Sequence, residues 1–231
     1  MSKVTIVVRD EVLMSAKVSA FKEAIAQNPL SGLQDSVEVV AVGQLSEVLS
    51  QGEERFWCPL TLDLPPTLQF PGRAAFEACR DAEGLRQWVQ QTLSYETKGD
   101  RATNRYFLPI VLTAKGPLYA EVIGQREAKQ YQQPVDLVDN QRQPLYYLGH
   151  ALLDRVSATP GVYILEFELK GKEIIFCQLF PFPIDAAIAS LGIQDPDLFT
   201  CHWLCLTDRA ILDLTILDSG EWRCVGTDAS V

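Results

Sequence analysis

Histidine is scarce in this sequence, with two residues in 231, and there are only two methionines. So few imidazoles disfavour a histidine-rich metal centre. The sequence also lacks the H-E-x-x-H signature of zinc proteases, the G-x-S-x-G turn of serine hydrolases and a redox C-x-x-C pair. No motif in the sequence identifies a reaction or a ligand. The predicted fold class therefore constrains the function more than any single segment does.

Positive charge is also in short supply. Twenty Lys and Arg residues oppose thirty Asp and Glu residues, which gives a formal net charge of −10. Tight nucleic-acid binding needs a basic surface that displaces phosphate counterions, and anionic membranes attract basic segments in the same way. Because no run of Lys or Arg occurs, the sequence predicts neither a nucleic-acid partner nor a membrane-surface partner.

Long apolar runs are missing as well. No uncharged apolar stretch approaches the roughly 18 residues needed to cross a bilayer, so we expect no membrane span. The N-terminus, MSKVTIVVRDE, has one lysine and then a strand-length apolar run, unlike a cleavable leader. The six cysteines are spread over the chain and form no dense framework. This spacing predicts a reducing, cytoplasmic compartment with mostly buried thiols.

What is present is an ordinary globular composition, 47% hydrophobic and 22% charged, in an α+β pattern. A strand at residues 3–8, a helical stripe, a second strand and a short helix predict a small βαβα unit over residues 1–55. The loop after the first strand reads Arg9-Asp10-Glu11. It lacks the glycines of a phosphate-cradling turn, which argues against a dinucleotide-binding or P-loop unit.

Residues 56–143 are predicted to hold a linker, a helix pair and a hairpin. Prolines punctuate 56–72, a helical pattern covers 73–94, and the hairpin turns near Lys115-Gly116. The proline-punctuated stretch is the best candidate for an internal boundary. All segments of the chain can also form one continuous domain.

Residues 144–231 are predicted to form a helix packed on an antiparallel sheet. Two apolar runs joined at Lys170-Gly171 read as a hairpin with a two-residue turn, and LFTCHWLCL, RAILDLTILD and EWRCV read as further strands. Both hairpin faces are apolar, so either both are covered or one is a docking surface. The register sets Glu168 opposite Glu173, a destabilising like-charge pair, which leaves a longer turn open.

The TCHWLC segment brings Cys201, His202 and Cys205 together, and these are residue types that bind zinc. On a predicted strand, alternation puts the histidine on the face opposite the two thiols. Chelation by all three is thereby disfavoured. We interpret the cysteines as buried thiols flanking Trp203, and the sequence predicts no metal site and no cofactor.

Tyr147, His150 and Asp154 lie at helical spacing on the predicted helix. Residues four apart touch on a helix face, and a carboxylate can orient an imidazole for general-base catalysis. The three residues are therefore a candidate polar site. The alternative is an ordinary solvated helix face.

Phe180 and Phe182 alternate with Pro181 and Pro183, which lack the N–H group that a strand ladder needs. If the two aromatic rings are exposed, they can anchor a protein partner. If they are buried, they close the end of the core, since large exposed apolar patches are uncommon on monomers. We identify both phenylalanines as candidate partner-binding residues.

KGPLYAEVIG and PLYYLGHALLDRVSATPGVYILEF resemble segments of conserved, uncharacterised cyanobacterial cytosolic proteins. The resemblance carries no catalytic motif and implies a role in assembling or regulating a larger complex in a photosynthetic cell. Our leading hypothesis is a soluble, acidic protein-binding or complex-assembly factor without a cofactor, whose partner is another protein. Two alternatives stay open, an enzyme with a site assembled around His150 and Asp154, and a small-ligand-binding protein.

Overall fold

A three-stranded parallel sheet forms the N-terminal part of the chain in the computed structural model, which describes residues 2–31, 33–99, 105–126, 129–217 and 223–224. Its elements are β1 (Ser2–Val8), α1 (Ala16–Gln27), β2 (Leu33–Ala41), α2 (Leu45–Ser50) and β3 (Arg55–Pro59). The strand order is β2-β1-β3, with both neighbours parallel to β1. Because β2 and β3 lie on opposite sides of β1, the strand order reverses between β1 and β3, which opens a crevice at their carboxyl ends.

A larger, mostly antiparallel sheet contains most of the remaining strands. The elements after β3 are α3 (Arg73–Arg80), α4 (Ala82–Trp88), β4 (Glu96–Thr97), β5 (Arg105–Thr113), β6 (Gly116–Tyr119), β7 (Val122–Gln125), β8 (Gln130–Val135), α5 (Asp139–Arg155), β9 (Gly161–Lys170), β10 (Glu173–Phe180), β11 (Gln194–Asp195), α6 (Leu198–Leu206), β12 (Thr215–Ile216) and β13 (Arg223–Cys224). The strand order is β13-β8-β7-β5-β9-β10-β4, with β6 paired to β5, while β11 and β12 form a separate pair.

Helices cover both faces of the larger sheet, as the alternation along β9 illustrates. Val162 and Ile164 pack in a core cluster with residues of α1 and α6. Tyr163, Leu165 and Phe167 pack in a second cluster with residues of α3, α4 and α5. The two apolar faces of the central hairpin therefore belong to the core and not to a docking surface.

The central hairpin turns at Gly171-Lys172, one residue later than predicted. Glu168 consequently pairs with Ile175 instead of Glu173. The predicted register is wrong, and the like-charge pair that it would create is avoided. Gly171 adopts the left-handed backbone conformation, with φ 65°, which a tight hairpin turn requires at its first central residue.

The LFTCHWLCL segment, predicted as a strand, is the helix α6. The carboxylate of Asp197 caps it by accepting hydrogen bonds from the amides of Phe199 at 2.8 Å and Thr200 at 3.1 Å. The helix is buried and apolar nearly all round. Its sequence therefore lacks the polar face by which an amphipathic helix is told from a strand. In the next segment, RAILDLTILD, only β12 is a strand within the described residues, and part of EWRCV lies outside them.

The chain is α+β, and the general fold class predicted from the sequence is confirmed. Among the helices that the structure describes, none is long and apolar enough to cross a membrane. The division into residues 1–55, 56–143 and 144–231 stays a prediction.

Candidate anion-binding cleft

A cleft of about 460 Å³ opens at the carboxyl ends of β1 and β3. Arg9, Glu11 and Thr61, which follow these two strands, form one side of it. Glu166 on β9 and Gln178 on β10 belong to the opposite side. Ligands of open α/β sheets bind in such crevices, where the strand order reverses.

Basic side chains outnumber acidic ones in the lining of the cleft, although the chain as a whole is acidic. Its basic side chains are Arg9, Lys17, Arg86, Lys98 and Arg105, and its acidic side chains are Glu11, Glu166 and Asp185. Three further carboxylates, those of Asp63, Glu83 and Glu168, do not line the cleft but form ion pairs with its basic side chains. The cleft therefore offers anionic ligands the N–H groups of its basic side chains and not a surplus of positive charge.

Contacts with the protein hold Arg86, on α4, at the wall of the cleft. Its Nη1 donates to the carbonyl of Cys177 at 3.3 Å, and its Nε and Nη2 donate to the Glu83 carboxylate at 3.2 and 2.8 Å. The backbone of Gly99 lies beside the guanidinium, since a Cβ built there would be 3.4 Å from Arg86 Cζ. The Arg86 side chain is only 16% exposed, so its position is largely set before a ligand binds.

Arg105, at the start of β5, faces Glu166 on the neighbouring strand β9. Its Nη1 lies 2.8 Å from Glu166 Oε1, and the two side chains are 21% and 10% exposed. Lys98 also lines the cleft and forms an ion pair with Glu168 at 3.2 Å. These pairs orient the basic side chains of the wall formed by the larger sheet.

The side formed by the N-terminal sheet contributes Arg9 and Lys17. Arg9 Nε lies 2.6 Å from Asp63 Oδ2, and Lys17 Nζ lies 3.6 Å from Asp185 Oδ1. Asp63 does not line the cleft, whereas Asp185 does. Every basic side chain of the cleft thus has an acidic partner that fixes its direction.

Cys177 lines the cleft, but its thiol is protonated at neutral pH. Burial, followed by the nearby carboxylates of Glu166 and Glu168, raises the pKa of Cys177 to about 12. A thiol becomes a nucleophile only as the thiolate. Proton transfer in the cleft would therefore fall to the carboxyl groups of Glu11, Glu166 or Asp185.

Phe180 and Phe182, predicted as candidate partner-binding residues, line the same cleft. Phe182 is buried, with 4% exposure, and stacks on Phe76 with ring centroids 5.7 Å apart. Phe180 is half-buried and contacts Phe182 edge to face. Phe182 therefore belongs to the core, as the buried alternative predicts, and the pair gives the cleft an apolar wall.

Tyr147, His150 and Asp154 lie together on an exposed face of α5. His150 Nδ1 is 3.3 Å from Asp154 Oδ2, with side chains 61% and 74% exposed, and Tyr147 is 61% exposed. The predicted contact between His150 and Asp154 is formed. None of the three lines the cleft, and a polar site at this place stays a prediction.

Cys201, His202 and Cys205 lie on α6, so the strand alternation predicted for them does not apply. Both thiols are buried, as predicted for core cysteines. His202 is buried as well, and its Nδ1 accepts a hydrogen bond from the Val162 amide at 2.9 Å. Among the described residues, no group of three or more His, Cys, Asp or Glu side chains is placed to hold a metal ion.

The basic residues of the cleft are not predicted from the sequence. They are spread from Arg9 to Arg105 and form no run, so they do not stand out against an acidic composition. One signal is present, because Arg9 and Glu11 directly follow the first predicted strand. That is the position at which α/β units bind ligands.

Named relatives of this chain are enzymes, although no family model matches it. The formate-dependent phosphoribosylglycinamide formyltransferase of Prochlorococcus marinus subsp. pastoris (strain CCMP1986 / NIES-2087 / MED4) is 27% identical over 125 residues. The match covers 52% of this chain and 32% of that protein, so this chain spans about a third of the length of that curated relative.

Solved structures of low sequence identity share the fold. A glycinamide-RNase-transformylase T from Mycobacterium tuberculosis superposes with a TM-score of 0.72 at 16% identity, covering 93% of this chain and 82% of that chain. An N5-carboxyaminoimidazole synthase from Aspergillus clavatus, in complex with ADP and 5-aminoimidazole ribonucleotide, gives 0.68 at 11% identity, covering 91% and 78%. At these identities the likeness to the solved structures shows the fold alone.

These relatives correct two conclusions drawn from the sequence. The resemblance to uncharacterised cyanobacterial proteins is wrong, because the relatives are named enzymes. The hypothesis of a cofactor-free protein-binding or assembly factor is wrong for the same reason, and the enzyme alternative is better supported. The apolar hairpin faces that favoured docking are buried under helices.

Proposed function

We propose that this chain acts as an enzyme on a phosphorylated small molecule of the ribonucleotide or phosphoribosyl class, bound in the cleft. The observation that carries the proposal is the set of three arginines and two lysines that line a crevice at the carboxyl ends of β1 and β3 of an acidic chain. Phosphate oxygens accept hydrogen bonds from such side chains, and guanidinium groups match their geometry.

Similar proteins support the ligand class. The curated relative is named for a phosphoribosyl compound, and a structural neighbour holds ADP and a ribonucleotide. In the proposed site, the basic side chains orient the phosphate. The half-buried ring of Phe180 offers an apolar surface beside them, and the carboxyl groups of Glu11, Glu166 and Asp185 are the candidates for proton transfer.

The proposal includes two predicted parts of the fold. The βαβα unit of residues 1–55 would supply one side of the site, and the C-terminal helix packed on an antiparallel sheet would support the other. A cytoplasmic location fits as well, because Cys58, Cys79, Cys177, Cys201 and Cys205 are buried free thiols.

Ligand binding without turnover is the second candidate function. It is favoured by the state of Cys177, whose raised pKa removes the thiol of the cleft from nucleophilic catalysis. His150, the exposed imidazole, lies outside the cleft. On this view the same cleft binds the same ligand class but transforms nothing.

Calorimetric titration and thermal unfolding with matched ligand pairs test both candidates. We expect ADP and ribose 5-phosphate to bind and to raise the melting temperature, whereas adenosine and ribose do not. Incubation with phosphoribosylglycinamide, formate and ATP, followed by mass spectrometry, then tests turnover. A formylated product would support the enzyme, binding without product the second candidate, and failure of every phosphorylated probe to bind would contradict both.

A further inference from the structure

Half-buried apolar side chains interrupt the polar lining of the cleft. Val12, Leu62, Phe180 and Ile184 all line it and pack against the same core cluster. Val12 and Leu62 follow strands β1 and β3 of the N-terminal sheet, whereas Phe180 is the last residue of β10 in the larger sheet. Apolar side chains therefore reach the cleft from both of its sides.

Phe180 is the last ring of a row of four phenylalanines. Phe70 contacts Phe76 edge to face with ring centroids 5.1 Å apart, and Phe76 stacks on Phe182 at 5.7 Å. Phe182 in turn contacts Phe180 edge to face at 6.3 Å. Because these contacts are made within the protein, the ring of Phe180 is positioned before a ligand binds.

The ring of Phe180 has room for a stacking partner in the cleft. Within the described part of the chain, Phe182 is the one aromatic ring in contact with Phe180, and no guanidinium lies over the Phe180 ring. Since Phe180 lines the cleft, a planar ring of a ligand can approach it without displacing a ring of the protein.

Basic side chains of the cleft lie near Phe180 along the chain. Arg86 Nη1 donates to the carbonyl of Cys177 at 3.3 Å. Cys177 precedes Phe180 on β10 by three residues, which is about 10 Å along a strand. Lys17 Nζ lies 3.6 Å from Asp185, five residues after Phe180. A ribonucleotide carries its phosphate and its planar ring on either side of a ribose, so it can contact a basic side chain and Phe180 at once.

We propose that Phe180 determines specificity by stacking on a planar heteroaromatic ring of the ligand, so that the cleft prefers ribonucleotides to phosphoribosyl compounds without such a ring. This inference rests on the proposed function and narrows its ligand class. Stacking on an aromatic side chain accepts every nucleobase, because each base has a π-face. The basic side chains bind the phosphate of either compound, and the ring distinguishes between the two.

Calorimetric titration with AMP and ribose 5-phosphate tests this preference. The two probes share the ribose and the phosphate and differ in the adenine ring. We expect AMP to bind the parent chain about tenfold more tightly, the factor that corresponds to stacking of one base on an aromatic side chain. Equal affinities would overturn the inference and leave the proposed function standing. A parent chain that binds no phosphorylated probe would overturn both.

Variants at position 180 test whether the ring carries the preference. Phe180→Leu keeps an apolar side chain and removes the ring, so it should bind AMP about tenfold more weakly and ribose 5-phosphate like the parent chain. Phe180→Tyr keeps a ring and should retain the preference. Phe56→Leu is the matched control, because Phe56 is also a half-buried phenylalanine on a strand but does not line the cleft. It should bind both probes like the parent chain.

A spectroscopic measurement on the parent chain keeps the test independent of folding defects in the variants. Ligand protons that lie over an aromatic ring resonate at higher field, so we expect the adenine protons of AMP to move upfield on binding. Unshifted adenine protons would contradict stacking. A preference for AMP that persists in Phe180→Leu, or an equal loss of affinity for both probes in that variant, would also overturn the inference.

Discussion

Gln178 lies directly opposite Glu166 across the β9–β10 pair, and both side chains line the cleft. The pairing depends on a register shift in β10 between Phe176 and Gln178, which adds one residue to that strand. The result is a neutral amide beside the ion pair of Arg105 and Glu166. The formal charge of the three side chains is therefore zero, whereas a second carboxylate at this place would make it −1.

Position 178 offers a charge series at one place in the cleft. Gln178→Glu should weaken the binding of ADP about tenfold, because it adds a negative charge to the lining of the cleft. Gln178→Lys should strengthen binding and make it more sensitive to salt. Calorimetric titration at two ionic strengths measures both effects. Equal affinities for the two variants would contradict an electrostatic role for the cleft.

Gly99 allows Arg86 to be displaced without a change of charge. A Cβ at this position would lie 3.4 Å from Arg86 Cζ and Nη2, so the branched side chain of Gly99→Val would push the guanidinium away from its present place. We expect weaker ADP binding, by about three- to tenfold, with the fold retained. Gly99→Ala is a graded comparison, because its Cβ alone would only touch Arg86 at 3.4 Å. It should weaken ADP binding less than Gly99→Val does. An unchanged affinity in Gly99→Val would show that the position of Arg86 does not matter.

His202 makes stability depend on pH in a range where carboxyl groups do not yet titrate. Burial lowers the pKa of His202 to about 3 from the ordinary 6.5, so below pH 6.5 the unfolded chain binds a proton that the folded chain rejects. The stabilising contribution is complete above pH 6.5 and is lost as the pH falls toward 3. Between about pH 7 and about pH 5, urea denaturation should show a loss of about 2 kcal/mol in the free energy of unfolding.

Two variants assign that loss to one residue. His150→Gln should leave the pH dependence in place, because it changes only the exposed histidine of α5. His202→Gln should flatten it, since the imidazole that is protonated in the unfolded chain but held neutral by burial in the folded chain is then absent. A flat profile in the parent chain would show that His202 is not held neutral by burial.

Trp203 connects α6 to the residue that follows α1. It is fully buried, and its Nε1–H donates to the carbonyl of Asn28 at 2.7 Å. Trp203→Ala should lower the free energy of unfolding by about 3–5 kcal/mol through the cavity it leaves. Trp203→Phe should cost less, about 1–2 kcal/mol, because Arg209 also donates to the Asn28 carbonyl at 3.0 Å and keeps it paired. Chemical denaturation of both variants measures the difference, and equal losses would contradict this account of the hydrogen bond.

The sequence predicts those parts of the fold in which apolar residues follow one clear spacing, that of a strand or that of a helix. The alternation of apolar residues in 161–180 predicts the central hairpin, and burial of Cys201 and Cys205 follows from residue type. Helix α6 is not predicted because it is apolar on nearly every side. Its apolar residues therefore show neither the alternation of a strand nor the spacing of an amphipathic helix. The hairpin register depends on which residues form the turn, and a shift by one residue changes every cross-strand pair.

The site could not be predicted for a different reason. Its basic residues lie far apart in sequence, from Arg9 to Arg105, and only the packing of the two sheets brings them into one cleft. A net charge of −10 describes the whole chain and does not show where its basic side chains gather. His150 and Asp154 attract attention because they are adjacent on one helix, yet they lie on an exposed face outside the cleft.

The central claim is that a phosphorylated ligand binds in the cleft between the two sheets. A crystal structure of the chain soaked with ADP tests it most directly. The account predicts phosphate density within hydrogen-bond distance of the basic side chains that line the cleft. Density for ADP elsewhere on the surface, or an empty cleft in crystals of a chain that binds ADP in solution, would contradict it.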